Sequence, residues 1–212
     1  MSNHVIIGRQ SSHYTRVVRM LAIELDVAVE LEPVHDLLSN DPDVFAGNPA
    51  LKLPALRLDG DGDVVWGSAN ACRVLARRSA AGEDGVAWPE QARSLRLMNA
   101  HELVAHAMAA QVEVVFHEIV SRRAPDDASR KRRASLVNSL GWLDRELEAV
   151  RGELPQGRIA LLELQLFCLL EHLPFRNPMD LSGWPALVAF ADAWRQRPSA
   201  RATPYRFDPP PA

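Results

Sequence analysis

The sequence predicts a mixed α/β unit in the order βαβ then ββα, over residues 1–79, followed by an all-helical unit over residues 88–212. Three observations carry this. Short apolar runs closed by Gly or Pro fill the first third of the chain. Residues 77–85 are polar and rich in Gly and Ala, with no period, and read as a linker. Beyond Pro89 apolar residues recur at threes and fours.

Val5-Ile6-Ile7, closed by Gly8, is the first strand, and Tyr14 to Leu25 carries Val17, Val18, Leu21 and Leu25 at helical spacing. Val27, Val29 and Leu31 alternate with Ala28 and Glu30 before Pro33, the period of two of a partly buried strand. Asp41-Pro42 and Gly47-Asn48-Pro49 mark an irregular stretch. Leu53 to Leu58 reads as a strand that turns at Asp59-Gly60-Asp61-Gly62 and returns as Val64-Val65-Trp66. Ser68 is placed to cap a helix through Ala71, Val74 and Leu75, its hydroxyl meeting N–H groups that lack an intrahelical partner.

In the second half Leu95, Met98, Ala105, Met108, Val112, Val115 and Ile119 form one apolar stripe, and Leu136, Leu140, Leu143, Leu147 and Val150 a second. The segment from Ile159 to Leu173 is apolar on almost every face, which places it at the centre of a helical bundle. A last helix runs from Pro185 to Arg197, opening on a Pro whose missing N–H costs nothing there. The Pro-rich tail from Phe207 to Ala212 is expected to be disordered.

Composition narrows the function classes. The chain of 212 residues is 47% apolar with a net charge of −3 and both signs interspersed, so no global field steers it to nucleic acid or to an anionic membrane. Cys72 and Cys168 stand far apart among apolar residues, which suggests neither a disulfide framework nor a zinc site and fits a reducing compartment. Met1-Ser2-Asn3-His4 opens no export signal, and the apolar run from Leu161 to Leu173 is short and broken by Glu163, Gln165 and Glu171. The expectation is a cytoplasmic protein with a small-molecule ligand and neither nucleic acid nor membrane as a partner.

Three signatures fall in order: Ser11-Ser12-His13-Tyr14-Thr15-Arg16 after the first strand, Asn48-Pro49-Ala50-Leu51-Lys52-Leu53-Pro54-Ala55-Leu56, and Gly67-Ser68 opening the third helix of the pattern. The helical half adds Leu173-Pro174-Phe175-Arg176, then Trp184-Pro185-Ala186-Leu187 leading into Arg197-Pro198-Ser199. Over essentially its whole length the chain resembles the glutathione S-transferases, as a divergent bacterial member of serine type. The resemblance implies a thioredoxin-like glutathione-binding domain followed by a helical domain. It also implies a homodimer in which the first domain of one subunit packs on the long helices of the other, and a role in detoxification.

Ser12 lies where the first strand hands over to the first helix, beside N–H groups and a dipole that favour an anion. A free thiol has a pKa of roughly 8.5, so a positioned O–H donor and a helix end together enlarge the nucleophilic thiolate share at neutral pH. On its own residues Ser12 reads as a plain helix cap; the resemblance makes it the holder of the glutathione sulfur, with Ser11 as the reserve. Both cysteine positions of a redox Cys-x-x-Cys are hydroxyl residues here, Ser12 and Thr15, which argues against dithiol chemistry.

The resemblance makes Leu53-Pro54 a cis-proline turn that offers the Leu53 backbone to the cysteinyl part of glutathione, where the residues alone favour a trans proline on an edge strand. Ser68 would take the γ-glutamyl carboxylate. The chain departs from the family pattern at Gly67, where a Glu or Gln usually meets the ligand's amine; Asn70, one turn on, could compensate. A second departure is Ala160, where a capping Ser or Thr is usual.

The hydrophobic acceptor pocket is expected between the domains, facing the helix of His101, Glu102, His106 and Met108. The spacing of His101 and His106 puts them on different helix faces, so no metal is expected. Arg122-Arg123 and Arg130-Lys131-Arg132-Arg133 read as a solvated helix junction. The implied activity is attack of an activated glutathione thiol on a small hydrophobic electrophile. The alternatives are a non-catalytic module of the same fold or a glutathione-dependent isomerase or dehalogenase.

Overall fold

The computed structural model describes residues 4–60 and 62–210. Asp61 of the expected hairpin, the first three residues of the expected signal-free start and the last two of the tail lie outside the described residues. The chain divides into two compact units, one of residues up to Val86 together with those from Arg197, the other Ala87–Gln196. The final stretch, assigned by sequence to the helical half, therefore packs with the first unit.

The first unit holds β1 (His4–Gly8), α1 (His13–Glu24), β2 (Val29–Pro33), β3 (Ala55–Arg57), β4 (Val64–Trp66) and α2 (Ser68–Arg78). Its four-stranded sheet has the order β2-β1-β3-β4, with β1 parallel to β2 and antiparallel to β3. The order is the thioredoxin-like βαβ-ββα expected. Ile6 pairs with Leu56 and both are fully buried, on the side where α1 and α2 pack on the strands and on each other. By the strand period of two, Ile7 and Ala55 point the opposite way, into a cluster with Val34, Val44 and Leu53. A short 3₁₀ turn, Pro42–Phe45, covers that side, opened by Asp41 accepting from the Asp43 N–H.

A short strand, β5 (Val86–Ala87), stands where one unit gives way to the next along the chain. The second unit holds the helices α3 (Leu95–Val114) and α4 (Asp127–Gly152), a further short strand β6 (Ile159–Ala160), and the helices α5 (Leu161–Arg176) and α6 (Pro185–Arg195). The residue pattern predicts neither β5 nor β6. α5 buries Leu164, Phe167, Cys168, Leu169 and Leu173 completely and packs on α3 and α6, the central position expected of it. Ala160 stands at its N-cap without a side-chain hydrogen bond, as its missing hydroxyl dictates.

The stripe expected on α4 is buried in full. That on α3 is not: Leu97, Ala100, Val104, Met108, Gln111 and Val114 are buried, whereas Leu95 is 78% exposed and Met98 is exposed too. Helix α3 carries two apolar stripes, and the bundle uses only one. With the π-helical turn Val115–Val120 that continues it, α3 is long and apolar enough to cross a membrane by composition, yet its central apolar side chains pack inside the bundle. The basic junction is ion-paired, Arg130 with Asp127, Arg132 with Glu113 and Arg133 with Glu118. Cys72 and Cys168 are both buried, and neither is in a disulfide among the described residues.

Candidate functional site

The three signatures meet at one edge of the four-stranded sheet. Ile7, Ala55 and Trp66 form a single row of paired residues across β1, β3 and β4. One residue beyond this row stand Gly8, Pro54 and Gly67, and the Gly67 N–H donates to the Pro54 carbonyl at 2.9 Å.

At the β1 end the chain turns tightly: the Ser12 N–H donates to the Arg9 carbonyl at 3.1 Å, closing a turn with Gln10 and Ser11 at its centre. Gly8 is required here, because a Cβ on it would stand 2.6 Å from Thr15 Oγ1, the oxygen that accepts from the Arg9 N–H. Ser12 is the N-cap of α1, and its Oγ accepts from the Thr15 N–H at 3.2 Å. A hydroxyl that accepts keeps its own proton to give, and the bond it accepts polarises the O–H it donates with. No acidic residue stands in the first turn of α1 to offset the positive helix end. Ser11 is only 5% exposed, whereas Ser12 is half-buried, so Ser12 is the more accessible hydroxyl. Tyr14 packs edge-on against the buried His13 ring at 4.5 Å, and its own burial pushes the phenol pKa up.

Leu53-Pro54 is cis, in line with the resemblance and against the trans reading of the residues alone. Asn48, to which the sequence pattern assigns no role, builds the turn before it: Nδ2 donates to the Lys52 carbonyl at 2.9 Å and Oδ1 accepts from the Ala50 N–H at 3.0 Å. Within this turn Leu51 adopts a left-handed φ of +53°. An Asn two residues before the next open N–H is the signal that could have found it. Among the described residues no hydrogen bond engages the N–H or C=O of Leu53.

Ser68 is not the cap of α2 but its first residue. The N-cap is Gly67, at φ +88° and ψ 146°, with no side-chain cap bond, a conformation open to Gly and costly for any other residue. Gly67 is exposed and Ser68 half-buried. Asn70 turns back to donate to the Trp66 carbonyl at 3.1 Å, so its amide N–H is engaged within the turn.

On α3, Met108 is fully buried in the core of its unit, and His106 pairs with Glu102 at 2.9 Å on the surface. His101 lines a cavity of about 390 Å³ within the helical unit, together with Trp88, Ala92, Leu97, Leu154 and Pro155. Burial lowers the pKa of His101, against a smaller opposing pull from Glu90, so the ring is held neutral more strongly than an exposed histidine.

Residues 11–78 match the family model of the glutathione S-transferase N-terminal domain. This stretch of the chain is a glutathione S-transferase N-terminal domain, and the fold as a whole is that of the glutathione S-transferases. Among solved structures, this chain is similar to a glutathione transferase family member from Pseudomonas fluorescens with bound glutathione, at 25% identity and a TM-score of 0.79, over 96% of this chain and 100% of that one. A glutathione S-transferase from Methylobacillus flagellatus with glutathione bound shares the fold at 22% identity and a TM-score of 0.76, over 96% and 100% of the two chains. One from Methylobacterium radiotolerans in complex with glutathione sulfonate does so at 21% identity and a TM-score of 0.76, over 100% and 99%. No curated protein matches the chain.

Proposed function

We propose that this chain is a glutathione transferase that activates the glutathione thiol for attack on a small hydrophobic electrophile. The observation that carries the reading is Ser12, a half-buried cap hydroxyl with its proton free to donate, at the start of a helix without first-turn acids. Ser12 would donate to the sulfur and favour its thiolate form. Leu53 would pair its open N–H and C=O with the cysteinyl backbone, and Ser68 with the first N–H groups of α2 would take the γ-glutamyl carboxylate. The glutathione bound in the related Pseudomonas structure supports the ligand.

We further infer a cytoplasmic homodimer serving detoxification, with no metal. The two buried cysteines, neither in a disulfide among the described residues, support a reducing compartment. The unused stripe of α3, Leu95 and Met98, supports a partner for the long helices, and Val64 and Trp66 on β4 expose apolar surface on the first unit.

The second reading, a non-catalytic binding module, is favoured by Gly67, which brings no side chain to the ligand's amine. Calorimetric titration with glutathione of wild type, Ser12→Ala and Ser68→Ala, with a thiol conjugation assay on an aromatic electrophile, separates the two. Binding weakened by Ser68→Ala with conjugation lost in Ser12→Ala establishes the enzyme. Binding without turnover leaves the module, and no binding to wild type sinks both glutathione readings.

A further inference from the structure

Asp208, within the stretch expected to be disordered, is instead tied to the turn that presents Ser12, and the chain that leads to it is held along the way. α7 (Pro198–Ala202) packs on α1, and the buried Arg16 of α1 holds both this helix and the chain just beyond it: its guanidinium donates to the Ala200 carbonyl at 3.3 Å and to Thr203 Oγ1 at 3.4 Å. The same guanidinium lies over the Tyr205 ring, 4.4 Å from its centre. Arg206 then donates through Nε to Gln10 Oε1. At the end of this path the Asp208 side chain is 1% exposed, its carboxylate accepting from the Gln10 N–H at 3.1 Å with Arg9 Nε at 3.7 Å.

A buried carboxylate must find donors or charges, and a Pro-flanked chain end is where fraying is ordinarily greatest. Here the carboxylate's donor is the backbone N–H of Gln10, the second residue of the Arg9–Ser12 turn. An N–H that points out of a turn has no partner within it, so its acceptor fixes how the turn sits. The side chain of the same residue is bound by Arg206. Gln10 is thus gripped twice by the tail, two residues before the Ser12 hydroxyl.

We propose that Thr203–Asp208 is a strap that holds the Arg9–Ser12 turn in the shape that presents the Ser12 hydroxyl, with Asp208 as the positioning residue. The inference rests on the reading of Ser12 as the thiol-holding group. Its sign is distinctive. Asp208 is an anion among Arg9, Arg19 and Arg206, so removing its charge alone would favour a nearby thiolate. Removing its grip on the turn would do the reverse.

The test compares full-length wild type with Asp208→Ala, Asp208→Asn and a chain ending at Phe207. Amide hydrogen exchange over residues 9–12 is read in the free proteins, and the ultraviolet absorbance of the glutathione thiolate is followed against pH in the bound ones. Asp208→Ala and the shortened chain should exchange at these amides on the order of tenfold faster. Their bound thiol should titrate about one unit higher, with about tenfold less thiolate at neutral pH. Asp208→Asn keeps an acceptor for the Gln10 N–H and should exchange near wild type, with its bound thiol titrating at the wild-type value or lower, since only the anion is gone. Unchanged exchange in Asp208→Ala, faster exchange with an unmoved thiol titration, or Asp208→Asn behaving like Asp208→Ala each overturns the proposal. If wild type takes up no glutathione, the Ser12 reading falls, and the exchange comparison alone decides whether the strap holds the turn.

Discussion

Helices α1 and α2 start at the same sheet edge, one after β1 and the other after β4, but they start differently. α1 opens on Ser12, whose hydroxyl is bonded to the Thr15 N–H and still has a proton to give. α2 opens on Gly67, which caps with backbone alone in a conformation reserved for glycine. In the transferase reading the first end holds the sulfur and the second the glutamyl group. The thiol end keeps its equipment and the glutamyl end has lost one side chain, which separates chemistry from affinity. On the proposed reading, the chain would activate glutathione better than it grips it.

The largest effect should therefore come from the α1 end. Ser12→Ala removes the donor aimed at the developing charge, and losing one such donor costs about a hundredfold or more in rate. Conjugation kinetics should show that fall with glutathione affinity nearly kept, alongside about 1 kcal/mol of stability lost with the cap. A fall confined to affinity would mean that the two helix starts do not divide the work as described.

The next effect should come from restoring what α2 lacks. Nothing lies within 4 Å of a Cβ on Gly67, so a side chain has room, but φ +88° strains it. Gly67→Glu should tighten glutathione about tenfold if a charge-assisted hydrogen bond to its amine is regained. The same change should cost on the order of 2 kcal/mol of stability through backbone strain. Calorimetry and thermal unfolding read the two together, and unchanged affinity would show that the missing side chain is not what limits binding. Ser68→Ala should be milder, weakening glutathione about fivefold because the first N–H groups of α2 still hold the carboxylate once the hydroxyl is gone, while leaving turnover of the saturated protein unchanged. Equal losses in affinity and turnover would put Ser68 in the chemistry.

Much of this edge was legible in the sequence, because strand periods and turn residues are local signals. The βαβ-then-ββα order of elements along the chain, the Ser12 cap and the central place of α5 all follow from residue type and spacing. What failed to show depended on distance or on competing patterns. α3 carries apolar residues on two faces, and periodicity alone could not say that Leu97 and Val104 go in while Leu95 and Met98 stay out. Ser68 read as a cap because hydroxyls favour that place, yet the positive φ at Gly67 moved the cap one residue earlier. The tail looked like free chain because its order comes from Asp208 meeting an N–H 198 residues away, a contact that no local pattern encodes.

Long-range contacts of this kind also distinguish the far ends of the two helices. At the end of α1, Glu24 is bound by Arg197 through Nε at 2.9 Å and by the Ser199 hydroxyl, anchoring α7. At the end of α2, Arg77 meets Glu83 at 2.7 Å in an exposed pair. Burial alone would raise the pKa of Glu24, but the hydrogen bonds from Arg197 and Ser199 outweigh it and hold the carboxyl below its ordinary range. A carboxyl depressed on folding stabilises above its unfolded pKa, near 4.3, and loses that contribution as pH falls through the lower folded value. Because Arg197 is 41% exposed and solvent screens the pair, the expected size is about 1 kcal/mol. Urea unfolding should show Glu24→Gln less stable than wild type by this amount at neutral pH, with the gap closing as pH falls through the depressed folded value of Glu24. Glu83→Gln should change stability by about 0.5 kcal/mol or less at neutral or acid pH. A gap in Glu24→Gln that persists in acid would assign the anchor to side-chain shape and not to charge, and α1 would then be held as an acid-resistant element.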